Sequence, residues 1–527
     1  MRLINAKTLR FQDFFQSNTP QYAILSHTWE EDEVTFQDMA SPYLPNKKAY
    51  KKITETCRLA LEVGLEYAWV DTCCIDKSSS AELTESINSM YEWYRRAAVC
   101  FVYLADVPPE MALENAIFQC RWITRGWTLQ ELIGPSEVEF FNRNWGNRGS
   151  KRGYRNVLSA ATGIPEKLLA DGLISEYSIA QRMSWASSRK TTRIEDEAYS
   201  LLGILEVSMP LIYGEGRMAF RRLQEEVIKR SNDLSIFAWN PTLAEDSPYC
   251  SIFASSPSVF SQSSDIIPWE SSRYNPEFTN TNKGLRFNDA LVEVDDGLGL
   301  VVGCNQRPGK VEEAFAIRVR KISADFYLRE RRGLAIDSDD WALIEHRTTF
   351  APSFYIGTNP RPPTLTTLSK FRVHGLRLNL SNVSCVFVMP KILWDDEDHC
   401  FLPDLPMNVR AALFELPAVD SDEKRINFGV LYDQEKMEIS LFDPFYCEGG
   451  MQYIFRDDER HVIRWPDLHS NHPELAKGGR SLKKTTHTSE LTITALIELE
   501  DVKVFDNHVP MFCLRFDVVE QPRWKQI

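Results

Sequence analysis

The chain has 527 residues, 43% hydrophobic and 25% charged, which is too much for one ordinary core and fits a folded protein of about two to four domains. Its formal net charge of -14 excludes a global basic footprint for nucleic acid, and the average surface would be repelled by anionic membranes. The 11 cysteines include no C-x-x-C pair, Met1 to Asn18 lacks the apolar centre of a signal peptide, and no run reaches the roughly 20 apolar residues that span a bilayer; reduced thiols, a cytoplasmic location, no membrane span and no nucleic-acid partner are expected.

Residues 20 to 145 alternate between strands and helices. The first strand is Tyr22 to Ser26. Apolar residues at Tyr50, Ile53, Cys57, Ala60 and Leu61 recur by three and four, the spacing of a helix, and Gly64 is placed to stop it. Tyr67 to Asp71 is the second strand. Ser79 and Glu82 have capping-box spacing and precede a helix with Leu83, Ile87, Met90, Tyr94 and Ala97 on one face. Val99 to Leu104 is the third strand, Thr124 to Ile133 a short helix halted by Gly134-Pro135, and Val138 to Phe141 the fourth strand. Such alternation predicts an α/β domain with a mostly parallel sheet and helices on both faces.

Residues 150 to 232 read as a helical extension. Ile164-Pro165 opens one helix, Ser178 caps another, and Arg193 to Leu205 and Met218 to Arg230 follow. Ser235 to Trp239 reads as a short strand. After Asn240 the helical period fades. β-type runs take over, among them Leu285 to Phe287, Ala290 to Val294, Phe315 to Val319, Cys385 to Met389, Leu491 to Leu499 and Met511 to Val518. The division is therefore an α/β domain with helical extension over 1–240 and a β-rich domain over 250–527, with the Ser-, Pro- and Asn-rich stretch Ser255 to Asn282 as linker.

Three runs carry the chemistry: Leu25-Ser26-His27-Thr28-Trp29, Trp69-Val70-Asp71-Thr72-Cys73-Cys74-Ile75-Asp76, and Arg125-Gly126-Trp127-Thr128-Leu129-Gln130-Glu131-Leu132. The first two are apolar runs that end in polar groups, the pattern of strands delivering side chains to a crevice at their carboxyl ends. In this order the three resemble the fungal heterokaryon-incompatibility (HET) domain. So do Arg193 to Gly203, Tyr213-Gly214-Glu215-Gly216 and Ser235 to Trp239. The resemblance covers about residues 1–240. It implies non-self recognition and programmed cell death after fusion of unlike hyphae, and a TIR/flavodoxin-like fold. TIR relatives hydrolyse NAD with a glutamate in a W-C-x-x-E motif; Trp127 and Glu131 keep that spacing here, with Thr128 at the cysteine position. The chain has no G-x-x-x-x-G-K-[ST] loop and no propeller repeat.

Each candidate residue has two readings. Glu131 either stabilises an oxocarbenium-like ribose or is a structural helix glutamate paired with Arg125. His27 is an acid, base or ligand contact, or a satisfied structural histidine. Trp29 and Trp127 stack on an adenine or nicotinamide ring, or pack in the core. Asp71 and Ser26 sit where a ligand's polar groups are met. Arg125, Arg143 and Arg193 hold phosphate oxygens or pair within the protein. Cys73 and Cys74 read as buried apolar residues rather than nucleophiles. His461, His469, His472 and His487 lack zinc spacing, so no metal is expected. Glu131 and His27 are thus the catalytic candidates, and Ser26, Trp29, Asp71, Arg125 and Trp127 the binding candidates, with NAD a candidate substrate rather than a cofactor. The leading reading is an incompatibility-type cell-death effector, with hydrolysis of NAD or a related nucleotide as its candidate reaction and the enzyme question left open. The rival is a non-enzymatic module that assembles with itself or with other incompatibility proteins.

Overall fold

The computed structural model describes residues 1–15, 18–241 and 247–268, followed by strands and short connections between 277 and 520. The amino-terminal half is built on a seven-stranded sheet with the order β2-β1-β4-β3-β5-β6-β7. Its strands are β1 (Arg2–Asn5), β2 (Phe11–Asp13), β3 (Ala23–His27), β4 (Tyr67–Trp69), β5 (Val99–Tyr103), β6 (Val138–Phe141) and β7 (Asn147–Ser150). β3 is parallel to β4 and β5, and β5 to β6. These are the four strands expected from the alternating pattern. Every residue of β3 is buried, as a strand covered on both faces must be. The sheet as a whole is mixed, because β1 pairs antiparallel with β2 and β4, and β7 antiparallel with β6. These edge strands are three or four residues long, too short to show a period of two.

The crossover helices follow the sequence reading closely. α1 spans Tyr50–Glu62, and Gly64 just beyond it takes φ of 80°, a conformation that favours glycine. The second strand is shorter than expected. Asp71 opens the single turn α2 (Asp71–Cys74) instead of closing β4. α3 (Ser80–Arg96) is capped by Ser79, whose hydroxyl accepts from the Glu82 amide at 3.3 Å. The Glu82 carboxylate does not reach back to complete the box. It accepts from the Asp76 amide and from Arg2, each at 2.8 Å, which ties the amino-terminal hairpin to the helix. After β5 come α4 (Leu113–Ala116) and α5 (Thr128–Ile133).

The extension contributes α6 (Arg155–Thr162), α7 (Glu166–Asp171), α8 (Ile179–Ser184), α9 (Asp196–Tyr199) and α10 (Met218–Ile228). Ser178 caps α8 in a full capping box with Gln181. The helix expected over Arg193 to Leu205 shrinks to the one turn of α9. Glu195 is drawn off to accept from the amides of Gly214 at 2.8 Å and Gly216 at 3.1 Å. The expected strand Ser235 to Trp239 is a 3-10 turn over Leu234–Phe237. Asp233 accepts from the Ser235 amide, and that local side-chain bond competes with a ladder.

The carboxyl half is β-rich, in sheets of ten, six and four strands among the described residues. The longest hairpin pairs Leu491–Val504 with Asn507–Glu520 in antiparallel register. The stretch expected to link the halves is packed in its described part. Val259 and Phe260 are buried in the same core as the sheet of the α/β half, and Ser178 donates to the Ile266 carbonyl at 2.6 Å. Arg329 joins the halves at another point. It is 1% exposed, donates to the carbonyls of Phe237 at 2.9 Å and Trp239 at 2.5 Å, and lies 3.7 Å over the Trp239 ring. Carbonyl dipoles and a π face stand in for water around this buried charge. Arg329→Met should therefore lower the urea midpoint and destabilise the fold by about 3 kcal/mol, because the carbonyls lose a charge-assisted donor and stay buried. A midpoint equal to wild type would show that the clasp carries no stability.

Candidate active site

β3 lies between β4 and β5, so the chain crosses over in opposite directions from it. The resulting switch point is where open α/β sheets bind ligands. At its carboxyl end, Ser26 accepts a hydrogen bond from Trp122 Nε1 at 2.7 Å and donates to Glu131 Oε2. All three side chains are buried. Behind them, the Tyr94 hydroxyl donates to the Leu25 carbonyl at 3.0 Å. Burial pushes the Glu131 carboxyl up to about 8; the Ser26 hydrogen bond opposes this, Asp71 adds to it, and the charges of Arg125 and Arg189 oppose it. Glu131 is therefore mostly a neutral acid at pH 7.

The next residue, His27, points into a second polar group. Its ring is 1% exposed, with Nε2 3.5 Å from Glu33 and Nδ1 3.8 Å from Asp71. Neither nitrogen makes a hydrogen bond, nor does the buried hydroxyl of Thr28. Buried polar atoms left in this state are uncommon and call for an explanation. Lys52, buried on α1, holds Glu33 from the other side. Its ammonium also donates to the Thr28 carbonyl at 3.3 Å and lies 3.1 Å from Glu30. Burial raises the Glu33 carboxyl, but His27 and Lys52 outweigh it and hold the group down at about 2. Glu33 is thus an ionised carboxylate beside the histidine.

Trp29 is 45% exposed. Its Nε1 donates to Asp71 at 2.8 Å. Ser26, His27, Trp29, Asp71 and Glu131 therefore converge around the ends of β3 and β4. Arg125 acts on Glu131 through its charge, while its backbone is bridged to Lys190. Gly126 explains the tight entry to α5, since a Cβ there would lie 2.6 Å from Thr191. Trp127 is not part of the group. It faces Asp196, which also accepts from Tyr213 at 3.0 Å. Arg193 stacks on Tyr213 at 4.5 Å, and Arg143 is exposed. Asp196, joined by Tyr213, thus meets the α5 entry at Trp127, while Glu195 holds the turn at Gly214 and Gly216.

The thiols take the bland role. Cys73 is fully buried, and burial raises it well above the ordinary thiol range, which makes it a poor nucleophile. Cys57, Cys73, Cys74, Cys100, Cys120 and Cys513 are free thiols. His461, His469 and His472 lie outside the described residues. Asp395, Asp398 and Cys400 cluster within 4.8 Å, but Arg320 already faces both carboxylates at 3.3 and 3.0 Å. Sequence reasoning missed Glu33, Lys52, Trp122 and Arg189. Arg189 donates to the Arg125 carbonyl and the Thr128 hydroxyl, each at 2.9 Å. An apolar neighbourhood for Lys52 and Trp122 was readable. Their convergence on β3 was not, because each comes from a different crossover.

The heterokaryon incompatibility protein (HET) family matches residues 22–115. Vegetative incompatibility protein HET-E-1 of Podospora anserina is 46% identical over 228 residues. The chain carries a HET domain. The shared stretch is 41% of this chain and 17% of the Podospora protein, so the chain spans only a small part of that relative's length. A domain of unknown function, DUF8212, matches residues 218–294, starting on α10 and running into the β-rich half. No solved structure matches the chain. The HET match includes Ser26, His27, Trp29, Glu33, Lys52 and Asp71, and ends before Trp122 and Glu131. No helix among the described residues is long and apolar enough to cross a membrane.

Proposed function

We propose that this chain acts in heterokaryon incompatibility as a cell-death effector, and that its HET domain hydrolyses NAD or a related nucleotide in the crevice at the end of β3. The supporting observation is His27, whose two buried ring nitrogens make no hydrogen bond and face the carboxylates of Asp71 at 3.8 Å and Glu33 at 3.5 Å. Buried polar atoms left without hydrogen bonds suit a site completed by a ligand. In the reaction, the N-glycosidic bond breaks and neutral nicotinamide leaves with the bonding electrons. Water adds to the ribose carbon and gives its proton to His27. Asp71 and, once deprotonated, Glu131 offset the positive charge that develops on the ribose.

The pH dependence follows from the sign of the Glu131 shift. Raised to about 8, the group is a carboxylate in only about one molecule in ten at pH 7. Nicotinamide release from NAD by the full chain should therefore climb between pH 6.5 and 8.5, roughly tenfold per unit below the pKa. A profile flat through that window would remove Glu131 from the chemistry.

The second reading is non-enzymatic assembly with copies of this chain or with other incompatibility proteins. One observation favours it. The chain from Trp122 through Ser26 to Glu131 is satisfied within itself, as a brace between β3 and α5 would be.

A further inference from the structure

The ring of Trp29 is already in contact with a cation. The ammonium of Lys77, on the exposed loop between α2 and α3, lies 3.7 Å from its centroid. Among the described residues, no carboxylate stands within ion-pairing distance of that ammonium, whereas the neighbouring cations are matched. Lys52 is bound by Glu30 and Glu33, and Arg121 faces Glu30 and Asp106. Lys77 is held by the π face; burial pushes its ammonium below the ordinary lysine range, and the charges of Asp71 and Glu33 oppose that. Its flexible stem lets it leave. The indole itself is fixed, because Asp71 accepts from its Nε1 at 2.8 Å. That bond to a carboxylate also enriches the ring's negative face. Asp71 on the indole and the charge of Glu33 reaching the ammonium at its face would repel a leading pyrophosphate and attract a cation.

We propose that Trp29, backed by Asp71 and Glu33, is the seat for the cationic pyridinium ring of an oxidised nicotinamide nucleotide, and that the Lys77 ammonium fills it in the free protein. The proposal rests on the hydrolase reading for the reaction but not for the binding. It decides between the two rings Trp29 could stack on, since adenine is neutral and would gain nothing from displacing a lysine here. It also sets the oxidation state, because reduction by hydride removes the positive charge of the ring.

The test uses the full chain and two small probes, 1-methylnicotinamide and nicotinamide, titrated by calorimetry and saturation-transfer NMR. They have similar rings and differ in charge. The cationic probe should bind about tenfold more tightly, the ratio expected of a well-formed cation–π contact. K77A should tighten it further by several fold, because the tethered competitor is gone, and W29L should abolish the preference. Equal affinities, a K77A protein that binds no better than wild type, or a W29L protein that keeps the preference would each overturn the proposal. The hydrolase reading stands apart from this result. Cation-selective binding without nicotinamide release from NAD would remove the reaction and keep the seat, and release without cation selectivity would do the reverse.

Discussion

Glu131→Gln is expected to make the protein more stable at neutral and alkaline pH, by an amount that grows with pH. The unfolded carboxyl titrates near its ordinary 4.5, and burial raises the folded group to about 8. Below pH 4.5 both states are protonated and the shift costs nothing. As pH rises, the unfolded state gains from ionising while the folded state does not. Stability is lost through the window and levels off above pH 8. A displacement of this size corresponds to on the order of 4 kcal/mol between pH 5 and pH 9. Glutamine keeps the shape and an acceptor for the Ser26 hydroxyl without any proton to lose. The variant's advantage in urea unfolding should therefore be small or negative at pH 5 and should widen steadily to pH 9. A difference between the two proteins that does not change with pH would show that Glu131 is not a buried neutral acid.

The parallel core was legible in the sequence because its strands are short unbroken apolar runs and its helices have clear faces. Residues such as Ile53, Cys57 and Ala60, or Ile87, Met90 and Tyr94, are buried as their spacing requires. The antiparallel edges were not, since three or four residues in a hairpin hold no readable period. Local chemistry misled twice. Ser235 to Trp239 has strand composition but is turned by Asp233, and the acidic start of α9 is spent on the glycine loop at Gly214 and Gly216. Ser26, His27 and Asp71 could be placed together because the ends of β3 and β4 are predictable positions. Glu33 and Lys52 could not. One lies in the loop after β3 and one on the inner face of α1, and only the three-dimensional register of that crossover brings both to His27. Trp127, by contrast, belongs to one of the three motif runs and still faces Asp196. A residue's place in a motif does not say which side of the helix entry it serves.

The same substitution at Glu131 also separates the two functional readings. If the HET domain is a hydrolase, Glu131→Gln should cut nicotinamide release at least a hundredfold at pH 8, where the wild-type group is about half ionised. The variant lacks the negative charge that the oxocarbenium-like state needs, and loss of one well-placed charge-stabilising group costs on the order of 3 kcal/mol of barrier. Incompatibility-type killing in a fungal host should fall with it. Loss of fold cannot account for such a result, because the variant is expected to be at least as stable as wild type at that pH. If the domain works by assembly, the Ser26 hydroxyl still finds an acceptor in the glutamine, the join between β3 and α5 holds, and killing should proceed near the wild-type rate. Ser26→Ala supplies the converse. It leaves the Glu131 carboxyl and the Trp122 Nε1 without their shared partner, at a cost of about 1–3 kcal/mol for each buried group left unmet. It should weaken the fold under either reading. A Glu131→Gln protein that kills normally, beside a Ser26→Ala protein that does not, would identify this chain of hydrogen bonds as a brace and end the enzymatic reading. The opposite pair, a stable Glu131→Gln protein that neither releases nicotinamide nor kills, would place the chemistry on that carboxylate.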